Sequence, residues 1–294
     1  MQLAVEHNGR EFGVREVPRM ISNADLEVLV DAGWIADHLD DADVRLVEID
    51  VSPATYNQGH IPGAVLWNAY SDLRDSSYRP VPGADFERLL SRSGITPDST
   101  IVTYGYGAFL GFWLMKSFGH RQVRVLNGTR DEWIQRGGEW STVTPTPSPT
   151  SYALPAPDGD MLVGRLEVER AMRDEGSVLL DVRTEAEFRG ERFWPSGATA
   201  DTGRAGHIPG AVNVPIDLAR DTAGVLKEVE LLRSLYANAG ASPEKRLILY
   251  CTISNRASVA WFILKYLLGY PDAAVYQGSY VEWGKLPDTA VETG

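Results

Sequence analysis

The sequence predicts an α/β protein made of two similar domains, each a parallel sheet flanked by helices. Three observations carry this expectation: an internal duplication, short apolar runs alternating with amphipathic helical segments, and a proline-rich stretch between the halves. The duplication is the strongest. His60-Ile61-Pro62-Gly63-Ala64-Val65 recurs as His207-Ile208-Pro209-Gly210-Ala211-Val212. VRLVEIDV at 44–51 parallels SVLLDVRT at 177–184, and IVTYG at 101–105 parallels LILYC at 247–251. Leu126-Asn127-Gly128 followed by Glu132-Trp133 returns as Tyr276-Gln277-Gly278 followed by Glu282-Trp283. Features repeated in the same order mark repeated structural units.

The elements follow from periodicity. Runs rich in Val, Ile and Leu at Arg45–Ile49, Thr100–Tyr104, Val178–Val182 and Arg246–Tyr250 read as strands buried on both faces. Asp85–Arg92, Gly111–Phe118, Leu166–Asp174 and Ala257–Leu268 carry an apolar stripe and read as helices. Alternation of the two implies parallel sheets, with ligands at the carboxyl ends of the strands. Ser141 to Asp160 holds five prolines, which fix φ and remove donors, so it reads as an inter-domain linker. The expected division is a lead-in at 1–22, one domain at 23–140, the linker at 141–160 and a second domain at 161–294.

With 294 residues and 44% apolar content, the chain can bury two modest cores. Its formal net charge of −12 argues against nucleic acid or an anionic membrane as partner. The opening residues mix charges without an apolar core, so no signal peptide is expected, and no apolar run reaches bilayer-spanning length. A single cysteine excludes an intramolecular disulfide and suits a reducing, cytoplasmic setting.

That cysteine, Cys251, closes a strand and opens the loop Cys251-Thr252-Ile253-Ser254-Asn255-Arg256 before a helix beginning near Ala257. Loop amides and a helix N-terminus favour an anion there. With Arg256 five residues on, the thiol is expected to have a depressed pKa and to be a nucleophile rather than a buried apolar filler.

The paired HIPGAV motifs, the linker and a cysteine heading a six-residue loop in the second half resemble the tandem-domain rhodaneses, a family that includes thiosulfate and 3-mercaptopyruvate sulfurtransferases. The resemblance runs from about residue 23 to residue 285. It implies two rhodanese-like domains with the active site at their interface, the first domain catalytically silent. Gly105 stands near the position of Cys251, in a first-half loop expected to be about four residues shorter. The resemblance also implies that Arg183, in Leu180-Asp181-Val182-Arg183, helps hold the donor anion; the first half has Ile49-Asp50-Val51 and no arginine there.

The implied chemistry is attack of Cys251 on the sulfane sulfur of thiosulfate. Arg183 and Arg256 would stabilise the departing sulfite. The resulting persulfide would be cradled by the loop Thr252, Ile253, Ser254, Asn255 and the amide of Ala257, and cyanide or a thiol would remove the sulfur. No metal or organic cofactor is needed. The loop lacks the Cys-Gly-Ser-Gly pattern common in mercaptopyruvate enzymes, which favours thiosulfate over 3-mercaptopyruvate as donor. Ser254 falls where glycine is frequent in relatives, so a positive φ there would cost serine something.

Two other classes compete. Phosphatases of related shape use Cys-x5-Arg, whereas Cys251 and Arg256 make the tighter Cys-x4-Arg. A non-catalytic partner-binding or sulfur-carrier module is the second. His60 and His207 are expected to order their Pro-Gly turns, and Trp133 and Trp283 to pack. Arg189–Gly197 reads as a surface loop that could border the pocket, and the acidic runs Asp37–Asp43 and Glu228–Glu230 as solvated faces.

Overall fold

The structure, a computed structural model, describes residues 28–294; the expected lead-in at 1–22 lies outside them. The first half runs β1 (Leu29–Val30), α1 (Ala32–Asp37), β2 (Val44–Asp50), α2 (Ala54–Gln58), β3 (Val65–Asn68), α3 (Gly83–Arg92), β4 (Thr100–Tyr104), α4 (Ala108–Ser117), β5 (Val123–Leu126) and α5 (Arg130–Gln135). The second repeats the order: β6 (Leu162–Val163), α6 (Arg165–Ala171), β7 (Ser177–Asp181), α7 (Glu185–Phe188), β8 (Val212–Asn213), α8 (Val229–Asn238), β9 (Arg246–Tyr250), α9 (Asn255–Phe262), β10 (Ala273–Tyr276) and α10 (Ser279–Lys285). A short 3-10 turn, Ile216–Ala219, precedes α8.

Each half forms a five-stranded parallel sheet, ordered β1-β5-β4-β2-β3 and β6-β10-β9-β7-β8. The centres, β4 and β9, read IVTY and LILY because both faces are covered. Their final tyrosines are equivalent: Ile61 N–H donates to Tyr104 Oη and Ile208 N–H to Tyr250 Oη, tying each HIPGA turn to its sheet.

The four strands expected from the sequence form within a residue or two of their limits. The helix expected to run through Ala257–Leu268 is α9 followed by a π-helical turn at Ile263–Leu267. The buried faces of α4 and α9 meet across the two halves, with Phe109 and Phe112 each 5.0 Å from the Phe262 ring. Both helices are buried nearly all round because each covers its own sheet and the other helix.

The proline-rich stretch carries neither helix nor strand between residues 142 and 158. It is pinned along the first half: Tyr152 is buried beside His120, Thr150 N–H donates to Ser91 O, and Leu154 N–H to Glu87 Oε1.

Candidate active site

Cys251 follows the last residue of β9 and is 1% exposed. Its loop is shaped from both ends. Tyr280 N–H and Val281 N–H, in the first turn of α10, donate to Cys251 O at 2.9 Å and Thr252 O at 3.0 Å. Ser254 caps α9 with φ +70°. This is the left-handed conformation in which serine carries a cost, and it is held by Ser254 Oγ against Gln277 O (3.1 Å) and Ser279 Oγ (3.2 Å). Carbonyls therefore point outward into the fold. The amides of Ile253, Ser254, Asn255, Arg256 and Ala257 donate to no acceptor among the described residues. Successive free amides at a helix start form an anion-binding concavity.

Arg256 lies beside this loop with its side chain 22% exposed. The structure gives it a partner that the sequence reading missed. Glu187, fully buried on α7, accepts from Arg256 Nη1 and Nη2, both at 2.8 Å, from Thr252 Oγ1 at 2.7 Å and from Thr184 Oγ1 at 2.8 Å. Burial alone would push the Glu187 carboxyl up; the Arg256 guanidinium and the two hydroxyls bring it down to about 2. Burial likewise opposes the charge on Arg256, but the Glu187 carboxylate and the charge available at Cys251 raise its pKa. Thr184-Glu185-Ala186-Glu187 is a capping box, a local signal that finds Glu187 but not its distant partner.

The second missed residue comes from the other half. Arg74, 6% exposed, donates through Nε (3.1 Å) and Nη2 (2.9 Å) to Ile253 O, and through Nη1 to Ala69 O. Burial lowers its pKa, opposed first by the charge available at Cys251 and then by Tyr106 and Tyr70. Tyr106 O also faces Asn255 Nδ2 at 3.5 Å. The first half therefore contributes directly to the cysteine loop.

Arg183 occupies a different environment from the one expected. Its guanidinium is wholly buried, reaching Asp181 through Nε (3.0 Å) and Nη2 (2.6 Å), with Nη2 also on Gly206 O (2.6 Å), and lies 3.8 Å over the Tyr280 ring. The first half has the same arrangement built from another element. Arg130, at the start of α5, pairs with buried Glu48 (Nε–Oε1 3.0 Å), donates to Gly59 O and lies 4.7 Å from the Trp140 ring. Gly59 and Gly206 immediately precede the two HIPGA motifs. The asymmetry expected of the halves is thus only sequential: each has a buried carboxylate–arginine pair behind its HIPGA turn.

The halves do differ at the cysteine position. Gly105 follows β4 as Cys251 follows β9, but Gly105 has φ +89° and a Cβ there would come within 2.9 Å of Ile49 O. The first-half loop is Gly105–Gly107 against Cys251–Ser254, one residue shorter rather than about four, because α9 begins at Asn255, two residues before the expected Ala257, and so shortens the cysteine loop.

The remaining singled-out residues fall outside this loop. His60 Nδ1 and Nε2 meet Tyr56 O and Val143 O, and His207 Nδ1 meets Phe188 O. The Trp133 and Trp283 indoles donate to Glu139 O and Ala290 O. In the Arg189–Gly197 tract, Trp194 packs on Tyr78 of the first half, rings 5.7 Å apart. Asp37, Asp40, Asp41, Asp43, Glu228 and Glu230 are exposed. No metal-ligating group of three or more His, Cys, Asp or Glu side chains gathers among the described residues, and none of their helices is long and apolar enough to cross a membrane.

Comparison with known proteins agrees with this architecture. The rhodanese-like domain family matches residues 31–136 and again 165–286. A Haloferax volcanii protein, provisionally named a thiosulfate sulfurtransferase, is 40% identical over 93% of this chain and 100% of its own length. Sulfur carrier protein TtuD of Thermus thermophilus is 38% identical over 91% of this chain and 97% of its own. Among solved structures, the anaerobic ergothioneine biosynthesis enzyme from Chlorobium limicola in complex with trimethyl histidine superposes with a TM-score of 0.83 at 26% identity, covering 92% of this chain and 71% of that one. A structure of EanB carrying a cysteine persulfide with ergothioneine superposes at 0.84, again at 26% identity and with the same coverage. The chain belongs to the rhodanese-like sulfurtransferase family, with two such domains in tandem.

Proposed function

We propose that this protein transfers a sulfane sulfur from thiosulfate to a thiophilic acceptor through a persulfide on Cys251. The observation that carries the proposal is the loop itself: one cysteine at a strand end, inside five amides left free of protein acceptors among the described residues, with two guanidinium groups close by. The Cys251 thiolate attacks the outer sulfur of thiosulfate. The sulfur–sulfur bond breaks, and sulfite leaves with the electron pair. The amides of Ile253 through Ala257 hold the persulfide anion. Cyanide or a thiolate then attacks the outer sulfur and regenerates the Cys251 thiolate, giving ping-pong kinetics. Arg183 is assigned to holding the HIPGA turn rather than to the donor, since its counterpart Arg130 does the same in the half without a cysteine.

Intact mass spectrometry after incubation with thiosulfate tests this. A gain of about 32 Da that Cys251→Ser abolishes, followed by its loss to cyanide as thiocyanate, is expected of a sulfur-loading thiolate. Absence of loading from any donor would overturn it. Comparing kcat/KM for thiosulfate and 3-mercaptopyruvate tests the donor, since specificity is that ratio.

A second reading, a sulfur carrier passing the same persulfide to a protein thiol, is favoured by the likeness to the Thermus sulfur carrier. It predicts normal loading but slow release to cyanide and fast release to a protein acceptor.

A further inference from the structure

We infer that Arg74, reaching across from the domain without a cysteine, supplies the uncompensated positive charge that draws an anionic sulfur donor to Cys251. The inference rests on the Cys251 reading above and adds a positioning residue that none of the sequence motifs marked.

The argument begins with charge balance. Arg256 is the obvious cation, but its guanidinium is committed to Glu187 by two 2.8 Å bonds, so the pair is close to neutral as seen from the sulfur. Arg183 is matched by Asp181 in the same way. Arg74 forms no ion pair among the described residues; its bonds go to the neutral carbonyls of Ile253 and Ala69. A guanidinium 6% exposed without a carboxylate is costly to bury, and an incoming anion relieves that cost. Arg74 also fixes the Ile253 carbonyl, whose own residue begins the row of free amides.

The duplication supplies an internal control. Leu73-Arg74-Asp75 corresponds to Ala219-Arg220-Asp221: Asp75 Oδ1 accepts from Ser77 and Arg79 N–H, and Asp221 Oδ1 from Ala223 and Val225 N–H. Both arginines bridge antiparallel to the residue six further on. Each reaches into the opposite domain. Arg220 lies 5.6 Å from the Phe109 ring at the start of α4, where no thiol exists, while Arg74 lands on the cysteine loop. The tandem arrangement thus gives each loop a cation from its neighbour, and only one loop has chemistry to use it.

The test compares alkylation of Cys251 by anionic iodoacetate and neutral iodoacetamide in the full-length protein. Their rate ratio cancels thiolate content and loop accessibility, so a merely structural role leaves it unchanged. Arg74→Gln is expected to lower the ratio about tenfold, the factor a unit charge gives across several ångströms at intermediate effective dielectric. Arg74→Lys should stay within about threefold of wild type. Arg220→Gln, which removes the corresponding interface cation, should leave the ratio alone. Glu187→Gln should raise it by freeing the Arg256 charge; Arg74→Met, which keeps the apolar stem without the charge, takes the place of Arg74→Gln if that variant does not fold and should show the same fall. An unchanged ratio in Arg74→Gln, an equal fall in Arg74→Lys or Arg220→Gln, or no rise in Glu187→Gln would overturn the inference. Because alkylation needs no sulfur donor, failure here is separable from failure of Cys251 to load sulfur.

Discussion

Acidification should remove a definite part of this protein's stability through one residue, Glu187. Its carboxyl is held at about 2 in the fold against an ordinary value of 4.5. That difference corresponds to about 3 kcal/mol of folding free energy, since each pKa unit is worth about 1.4 kcal/mol. The sign follows from the direction of the shift. A carboxyl with a depressed native pKa stabilises the fold fully above its unfolded value, and the contribution drains away as pH falls from about 4.5 towards 2. Between pH 5 and pH 3 the loss attributable to Glu187 is about 2 kcal/mol by the same linkage relation. Other carboxylates titrate in this window too, so the quantity to measure is a difference. Urea unfolding of wild type and Glu187→Gln at pH 5, 4 and 3 isolates it. At pH 7 the variant should be less stable by about 3–5 kcal/mol, because Arg256 is left buried without its anion. Its stability should then fall less steeply with acid, converging on wild type by about 2 kcal/mol. Parallel pH profiles, matching within about 0.5 kcal/mol, would refute the assignment of the Arg256–Glu187 pair as an ionised buried pair.

Three further outcomes follow from the geometry. Arg183→Ala and Arg130→Ala should each destabilise the fold by about 3–5 kcal/mol in chemical denaturation, as expected of one partner removed from a buried pair; sulfur loading lost in Arg183→Ala at unchanged stability would return Arg183 to the donor site. Ser254→Gly should be more stable than Ser254→Ala by about 1 kcal/mol, because both lose the Oγ bonds but only glycine is free of the cost at φ +70°; thermal melts showing alanine equal or better would refute the strained loop. Gly105→Cys should lower stability by about 1–3 kcal/mol, given φ +89° and the Ile49 carbonyl 2.9 Å from the new Cβ, and intact mass should show no persulfide at 105.

Much of the molecule was legible because its signals are local. The Val-, Ile- and Leu-rich runs could be placed as sheet centres since strands covered on both faces tolerate little else. The HIPGA repeats announced duplication, and Cys251 could be placed at a strand-to-helix turn from its neighbours alone. Ser254 could be marked as a position where a positive φ would cost serine, but only the fold gave it φ +70°. Less legible were the limits of α4. Its first residues, Ala108-Phe109-Leu110, belong to a helix buried on every side, so they show no amphipathic stripe to mark where it starts.

By itself the sequence determined the α/β class, the duplication and the place of its one cysteine at the head of a strand-to-helix loop, since each depends on residues adjacent in the chain or on a pattern of fixed period. Tertiary structure alone decided which groups surround each of these arginines. Arg256 and Glu187 are 69 residues apart, and Arg74 and Ile253 are 179 apart. Arg183 meets a carboxylate only two residues away, yet its burial and its hold on Gly206 come from the fold. A guanidinium carries the same charge wherever it stands in a sequence. Whether that charge is spent on a carboxylate, locked behind a turn or left for a substrate depends on which distant groups the packing brings beside it.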